Sequence, residues 1–211
     1  MPKSKKSHRK GTSAKRQKAN ATQANMVRSI LGSQIPGDYQ GPLLYTLKVQ
    51  LIQGRVTEEF EEQNPEVSRT MEMLGDQTFE EFHATIFNAF GRFEEHMYEF
   101  QFGKKPQAPG LRVAGSTGSG IGFYGSNPER LAFETTFDEV IVKKGQKFFY
   151  WFDFGDDWWH EITVQNIGVP DSAGTYPQVT EIVGQNPPQY PDHDEDEDYD
   201  DDNDYEDEDD E

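Results

Sequence analysis

The sequence predicts an α+β fold: a single domain in which a mixed, mainly antiparallel sheet packs on an amphipathic helix, with a β-grasp-like order of elements. Three observations predict it. The run Phe148–Ile167 holds all three tryptophans, and Val, Ile, Thr and aromatics flank its Gly155-Asp156-Asp157 break, the pattern of two antiparallel strands and a tight turn. Residues 78–91 carry a helical apolar stripe behind a capping box. The ends are stripped of apolar residues and carry opposite charges, which predicts a disordered basic arm over 1–28 and a disordered acidic tail over 192–211 around a domain at 43–190.

In chain order, Ala24 to Ile35 can form a short helix, ended by Pro36-Gly37. Tyr45, Leu47, Val49 and Leu51 alternate with Thr46, Lys48 and Gln50, a half-buried strand over 43–52. The acidic segment from Thr57 to Pro65 reads as a loop, and 68–74 as a second strand with Met71 and Met73 in phase. Thr78 and Glu81 form the capping box of a helix over 79–90, with Phe79, Phe82, Ile86, Ala89 and Phe90 on one stripe and Gly91 placed to end it. A third strand covers 96–102, with His96 in phase with Tyr98, Phe100 and Phe102. Residues 103–128, rich in Gly, Pro, Ser and Thr, read as a flexible linker or lid. Within them GSTGSGIG (115–122) lacks the Gly-Lys-Ser/Thr ending of a phosphate loop. Thr136 and Glu139 repeat the capping-box pattern and open a short helix stopped at Lys143-Lys144-Gly145. Strands over 147–154 and 158–167 complete the sheet. The first is apolar on both faces, so the hairpin belongs at its centre, covered on two sides.

The formal charge of −19 divides unevenly. Residues 1–28 carry nine Lys or Arg and no acid, and 192–211 carry sixteen Asp or Glu and no Lys or Arg. The middle is itself acidic, at −12. Cysteine is absent, which excludes disulfides, thiol catalysis and cysteine metal sites and fits a cytoplasmic protein. No apolar run reaches the ~20 residues of a membrane span, so no membrane association is expected.

TFEEFHATIFNAFG (78–91), HMYEFQF (96–102) and FFYWFDFGDDWWHEI (148–162) together resemble the plasmid pRiA4b ORF-three-like family. That family runs through a Thr-Leu-x-x-Leu-His helix, a His-Leu-Tyr-x-Phe strand and a Tyr-x-Tyr-Asp-Phe-Gly-Asp-x-Trp-x-His hairpin. The matches fall at Thr78, Phe79, Phe82 and His83, at His96, Met97, Tyr98 and Phe100, and at Tyr150, Phe152 to Asp156, Trp158 and His160. Two departures stand out. A longer acidic loop around 54–67 replaces the family's Pro-x-x-Trp-Arg connection, and its Cys-Pro-Pro-Glu-Asp signature survives only as Asn186-Pro187-Pro188-Gln189-Tyr190. The resemblance implies a compact α+β domain of bacterial or mobile-element proteins and no established activity.

The candidate site is Asp153, Asp156, Trp158, His160, His83 and His96. The imidazoles and carboxylates among them, with Asp157, are residue types suited to a divalent first-row metal, but no spacing matches a known ligand motif. In a simple hairpin Asp153 and His160 lie on opposite faces. Set against a metal site is a structural role: Asp153 or Asp156 accepting turn amides, His160 bonded in a polar seam, His83 hydrogen-bonded at the core edge. Asp153-Phe154-Gly155 evokes a kinase, but the His-Arg-Asp loop is missing. Three function classes follow. The leading one is a non-enzymatic binding or accessory module that meets nucleic acid through Lys3, Lys5, Lys6, Arg9, Lys10, Lys15, Arg16 and Lys18. The second is a divalent-metal-dependent enzyme at the hairpin. The third is an interaction protein whose 192–211 tail engages a basic partner.

Overall fold

The structure is a computed structural model that describes residues 25, 28–29, 32, 35–36, 39–115, 130–141 and 143–191. Residues Lys3 to Lys18 of the basic arm, most of GSTGSGIG and the 192–211 tail lie outside them.

Alternation builds the first strand, β1 (Leu44–Gln53): Tyr45, Leu47 and Val49 are fully buried while their neighbours are half-exposed. β2 (Ser68–Leu74) pairs antiparallel with it, so Met71 meets Leu47 and Met73 meets Tyr45 across the ladder. Between them 57–65 is not a loop throughout, as expected, but holds a short helix, α1 (Glu58–Gln63). The Thr57 hydroxyl caps the Phe60 amide, and Glu58, Glu59 and Glu61 sit where the helix dipole favours acids.

The main helix, α2 (Phe79–Ala89), starts at the predicted capping box. Thr78 Oγ1 accepts from the Glu81 amide at 3.2 Å, and Glu81 Oε2 accepts from the Thr78 amide at 2.7 Å. Its stripe packs on the sheet through aromatic contacts. Phe79 stacks on Phe137 at 4.8 Å and Phe82 on Phe100 at 5.5 Å. Gly91, at φ +65°, ends it in the left-handed conformation glycine tolerates.

β3 (Tyr98–Gln101) is shorter than expected and leaves His96 outside the strand. Two short strands were missed, β4 (Arg112–Ala114) within the supposed linker and β5 (Arg130–Leu131). A 3-10 turn (Ala132–Glu134) and α3 (Phe137–Val140) follow, the latter with its predicted capping box. β6 (Lys147–Phe152) and β7 (Trp158–Gly168) form the hairpin, and β8 (Gln178–Val183) was also missed. The sheet order is β5-β4-β3-β6-β7-β1-β2-β8, with β4 and β5 parallel and every other pair antiparallel. The hairpin therefore sits at the middle of the sheet, as expected.

One face of the hairpin carries Phe148, Tyr150, Phe152, Trp158, His160 and Ile162, all buried among the α2 side chains and the inward residues of β1. The second face is covered differently from expectation. Trp151 stacks on Trp159 at 4.9 Å and on Phe154 at 3.9 Å, so the hairpin's rings cover one another and Trp151 stays half-buried. At the N-terminal edge Asn25, Arg28 and Ser29 are helical. Arg28, the last cation of the 1–28 segment, is tied to the domain: its guanidinium donates to the Tyr39 and Gly41 carbonyls at 2.6 and 2.5 Å.

Candidate functional site

The turn between β6 and β7 is built by Asp153. Its φ of +52° is unusual outside glycine but within reach of Asp. Its carbonyl accepts from the Asp157 amide at 2.8 Å, and its Oδ1 accepts from the amides of Gly155 at 3.1 Å and Asp156 at 3.4 Å. This is the turn-capping role weighed from sequence. Asp156 faces Arg55, whose Nη1 donates to Oδ1 at 3.0 Å. Asp157, also left-handed at φ +54°, accepts from the Trp151 indole N–H at 2.9 Å and fixes that ring in its stack.

Around the turn lies a cleft of about 480 Å³, lined by Glu95, His96, Tyr98, Asp153, Phe154 and Gly155 among others. His96 Nε2 is 2.8 Å from Tyr190 Oη and 3.5 Å from Asp153 Oδ2. Tyr190 donates its hydroxyl proton to Glu94 at 2.8 Å, which pushes its pKa up to about 12 and leaves its oxygen to accept from His96. Tyr190 closes the Asn186–Tyr190 segment, so this stretch reaches the site through a phenol.

His83 occupies the neighbouring interior. Its ring stacks on Tyr98 at 3.6 Å with planes 3° apart. Nε2 lies 3.1 Å from Glu95 Oε2 and Nδ1 lies 2.7 Å from Tyr150 Oη. Burial lowers the His83 pKa, against an opposing pull from Glu95. The same burial drives the Tyr150 pKa up, so it remains a hydroxyl. Neutral His83 then donates from Nε2 to the Glu95 carboxylate, and Nδ1 accepts the Tyr150 proton.

His160 departs from expectation. It pairs across the ladder with Tyr150 and is 1 % exposed, yet neither ring nitrogen has a hydrogen-bond partner among the described residues. The ring lies edge-on to Phe90 at 4.7 Å, with the Arg92 guanidinium and the Tyr150 backbone as its polar neighbours. Desolvation first, then the positive charge of Arg92, push its pKa well below the usual range, against an opposing pull from the Tyr150 backbone, which approaches the ring without closing a hydrogen bond of ordinary geometry. Trp158, two residues earlier on the same face, is fully buried beneath the Arg92 guanidinium, whose carbon stands 3.6 Å from the ring centroid.

The six predicted residues thus fall into two neighbourhoods. Asp153, Asp156 and His96 gather at the turn and cleft. His83 and His160 flank Tyr150, with Trp158 beyond His160. Among the described residues no three His, Asp or Glu side chains converge as a metal-ligand set. Sequence reasoning missed Arg92, Glu95 and Arg55, each of which reads in the linear chain as an ordinary surface charge.

No curated protein matches the chain. Among solved structures, the crystal structure of protein of unknown function MM3350 from Methanosarcina mazei Go1 shares the fold, with a TM-score of 0.51 and 18 % identity over 68 % of this chain and 71 % of that one. No helix among the described residues is long and apolar enough to cross a membrane. The family model for the plasmid pRiA4b ORF-3-like protein matches residues 50–206, which span the capped helix, the His96–Phe102 stretch and the whole Asp153–His160 hairpin. With three-quarters of its length under that match, this chain belongs to the plasmid pRiA4b ORF-3-like protein family.

Proposed function

We propose that the chain is a non-enzymatic binding or accessory module, a rigid α+β scaffold whose charged ends make the contacts. The observation that carries this reading is how the hairpin's functional groups are used. Asp153 caps its own turn, Asp156 holds Arg55, Asp157 holds Trp151 and His83 bridges Tyr150 to Glu95. Groups committed to holding a fold are poorly placed to shuttle protons or bind a catalytic metal. The metal-dependent reading keeps one contact in its favour, His96 to Asp153 at 3.5 Å, which lacks a third ligand among the described residues.

The partner we assign is nucleic acid, in keeping with a role among mobile-element proteins, and what supports it is charge. Lys3, Lys5, Lys6, Arg9, Lys10, Lys15, Arg16 and Lys18 lie in a stretch without a single acid, a composition suited to phosphate contacts through counterion release. Arg28 is left out of that set because the domain uses it. Such an arm positions on the backbone and does not read bases. The 192–211 tail competes for the same cations, or engages a basic protein of its own. Affinity for one oligonucleotide across a salt series tests this. The intact chain should lose affinity with a log–log slope of roughly −0.7 to −0.9 per phosphate contacted. Removing residues 1–24, which spares Arg28, should abolish binding. Equal binding by the shortened chain, or none by the intact one at low salt, would refute the arm as the contact.

A further inference from the structure

Five buried side-chain nitrogens lack a hydrogen-bond partner among the described residues, and all five belong to three neighbouring residues: Arg92 Nη1 and Nη2, Trp158 Nε1, and His160 Nδ1 and Nε2. Arg92 is 7 % exposed, His160 1 % and Trp158 not at all. They meet where the chain leaves α2. Phe90 packs against His160, and Arg92, two residues on, lies flat over Trp158.

The chemistry of the three is mainly that of donors. Guanidinium and indole only donate, while neutral imidazole donates from one nitrogen and accepts at the other. Protein interiors rarely leave such groups unmet, because a buried unpaired donor is costly and an unpaired charge more so. The same core shows what a satisfied arginine looks like. Arg69, 1 % exposed and lying over Phe90 at 4.9 Å, donates to the carbonyls of Ala89, Ser68 and Val183 and to Asn186 Oδ1. The two Nη groups of Arg92 have no such acceptor among the described residues. Asp153 and Asp156 act on it only through space, one occupied with turn amides and the other with Arg55. Burial lowers the Arg92 pKa to about 10, so it stays cationic at neutral pH.

We propose that Arg92, Trp158 and His160 form a binding site for an oxyanion, a carboxylate or phosphate. The two Nη groups of Arg92 present the fork that matches two oxygens, with the Trp158 indole as a further donor and a His160 N–H that the Tyr150 backbone competes for. This site is separate from the basic arm and does not depend on the proposed nucleic-acid role. Two sources can supply the anion. One is a free small molecule. The other is the chain itself: Gln189 Oε1 accepts from the amides of Phe93 and Glu94, so the polypeptide passes beside Arg92 just before its acidic run at 192–211.

The test follows the Trp158 indole N–H in proton–nitrogen NMR spectra of the full chain, assigned by its loss in Trp158→Phe. Inorganic phosphate and acetate are titrated separately in chloride buffer at constant ionic strength. A free-anion site gives a saturable downfield shift and a rise in melting temperature. Arg92→Met keeps the stem over the ring but removes the fork, and should weaken binding about ten- to a hundredfold. Arg92→Lys, which keeps the charge, should fall between and reports on the fork if Arg92→Met unfolds. If the tail is the source, the unmodified chain gives no shift, while a chain with its 192–211 acids changed to Asn and Gln does. No shift in either chain would mean that water satisfies these donors and would overturn the proposal, as would unchanged binding by Arg92→Met.

Discussion

Asp153 separates a structural hairpin from a chemical one, and substitution there gives the two different signatures. Asp153→Ala removes the Oδ1 acceptor shared by the Gly155 and Asp156 amides and places a Cβ-bearing residue without a local acceptor at φ +52°. Losing the buried, charge-assisted cap costs about 1–3 kcal/mol. The left-handed backbone adds about 1 kcal/mol for alanine. The ion pair to His96, at 3.5 Å with the imidazole partly exposed, adds little, about 0–1 kcal/mol. The expected loss is therefore about 2–5 kcal/mol, read as a lower urea midpoint at unchanged slope. Asp153→Asn keeps an oxygen in place and tolerates the same backbone, so it should stay within about 1 kcal/mol of the unmodified chain. Asp153→Gly relieves the backbone alone and should fall between. If Asn proves as costly as Ala, the negative charge matters and not the cap, and the turn would have to be read as a charge site.

Stability should fall on the acid side because of the two buried histidines. Both have folded-state pKa values below the ordinary ~6.5. Below that pH the unfolded chain takes up protons that the folded chain refuses, so stability drops as pH falls, by up to about 1.4 kcal/mol per pH unit per histidine. Denaturant melts between pH 7 and 5 should show a shallower slope for His160→Asn, and identical slopes would contradict its buried neutral state. Tyr150→Phe should cost about 1–3 kcal/mol by leaving His83 Nδ1 unpaired, and the loss should largely vanish in a His83→Phe background. Two additive losses in that cycle would mean the bond is not made. Gly54→Ala should destabilise by about 1–3 kcal/mol, since a Cβ at 54 would collide with the buried Trp158 ring. A neutral melting temperature would show that Trp158 can shift.

What the sequence made legible follows from periodicity. Alternation in β1, the capping box of α2 and the aromatic density of the hairpin each pair a local signal with a buried face, so tertiary packing agrees with local preference. The misses lack that agreement. All of β8 but Val183 is exposed, so its pairing leaves no alternation to read, and β4 and β5 are too short to carry any. α1 buries no residue, and its run of glutamates reads as solvated chain. At the site, the Asp153 cap was readable because a turn's chemistry is local. Arg92 was not, because a lone arginine after a helix-ending glycine is a surface residue by every linear criterion. Only the meeting of α2's end with β7 buries it.

The most direct test of whether the hairpin's histidines and aspartates hold the fold is metal content. Protein purified without a His-tag, dialysed and analysed for first-row divalent metals should carry well under one equivalent per chain, unchanged in His160→Ala and His96→Ala. One equivalent of a single metal, lost in either variant, would contradict the structural role and restore a metal centre at the hairpin.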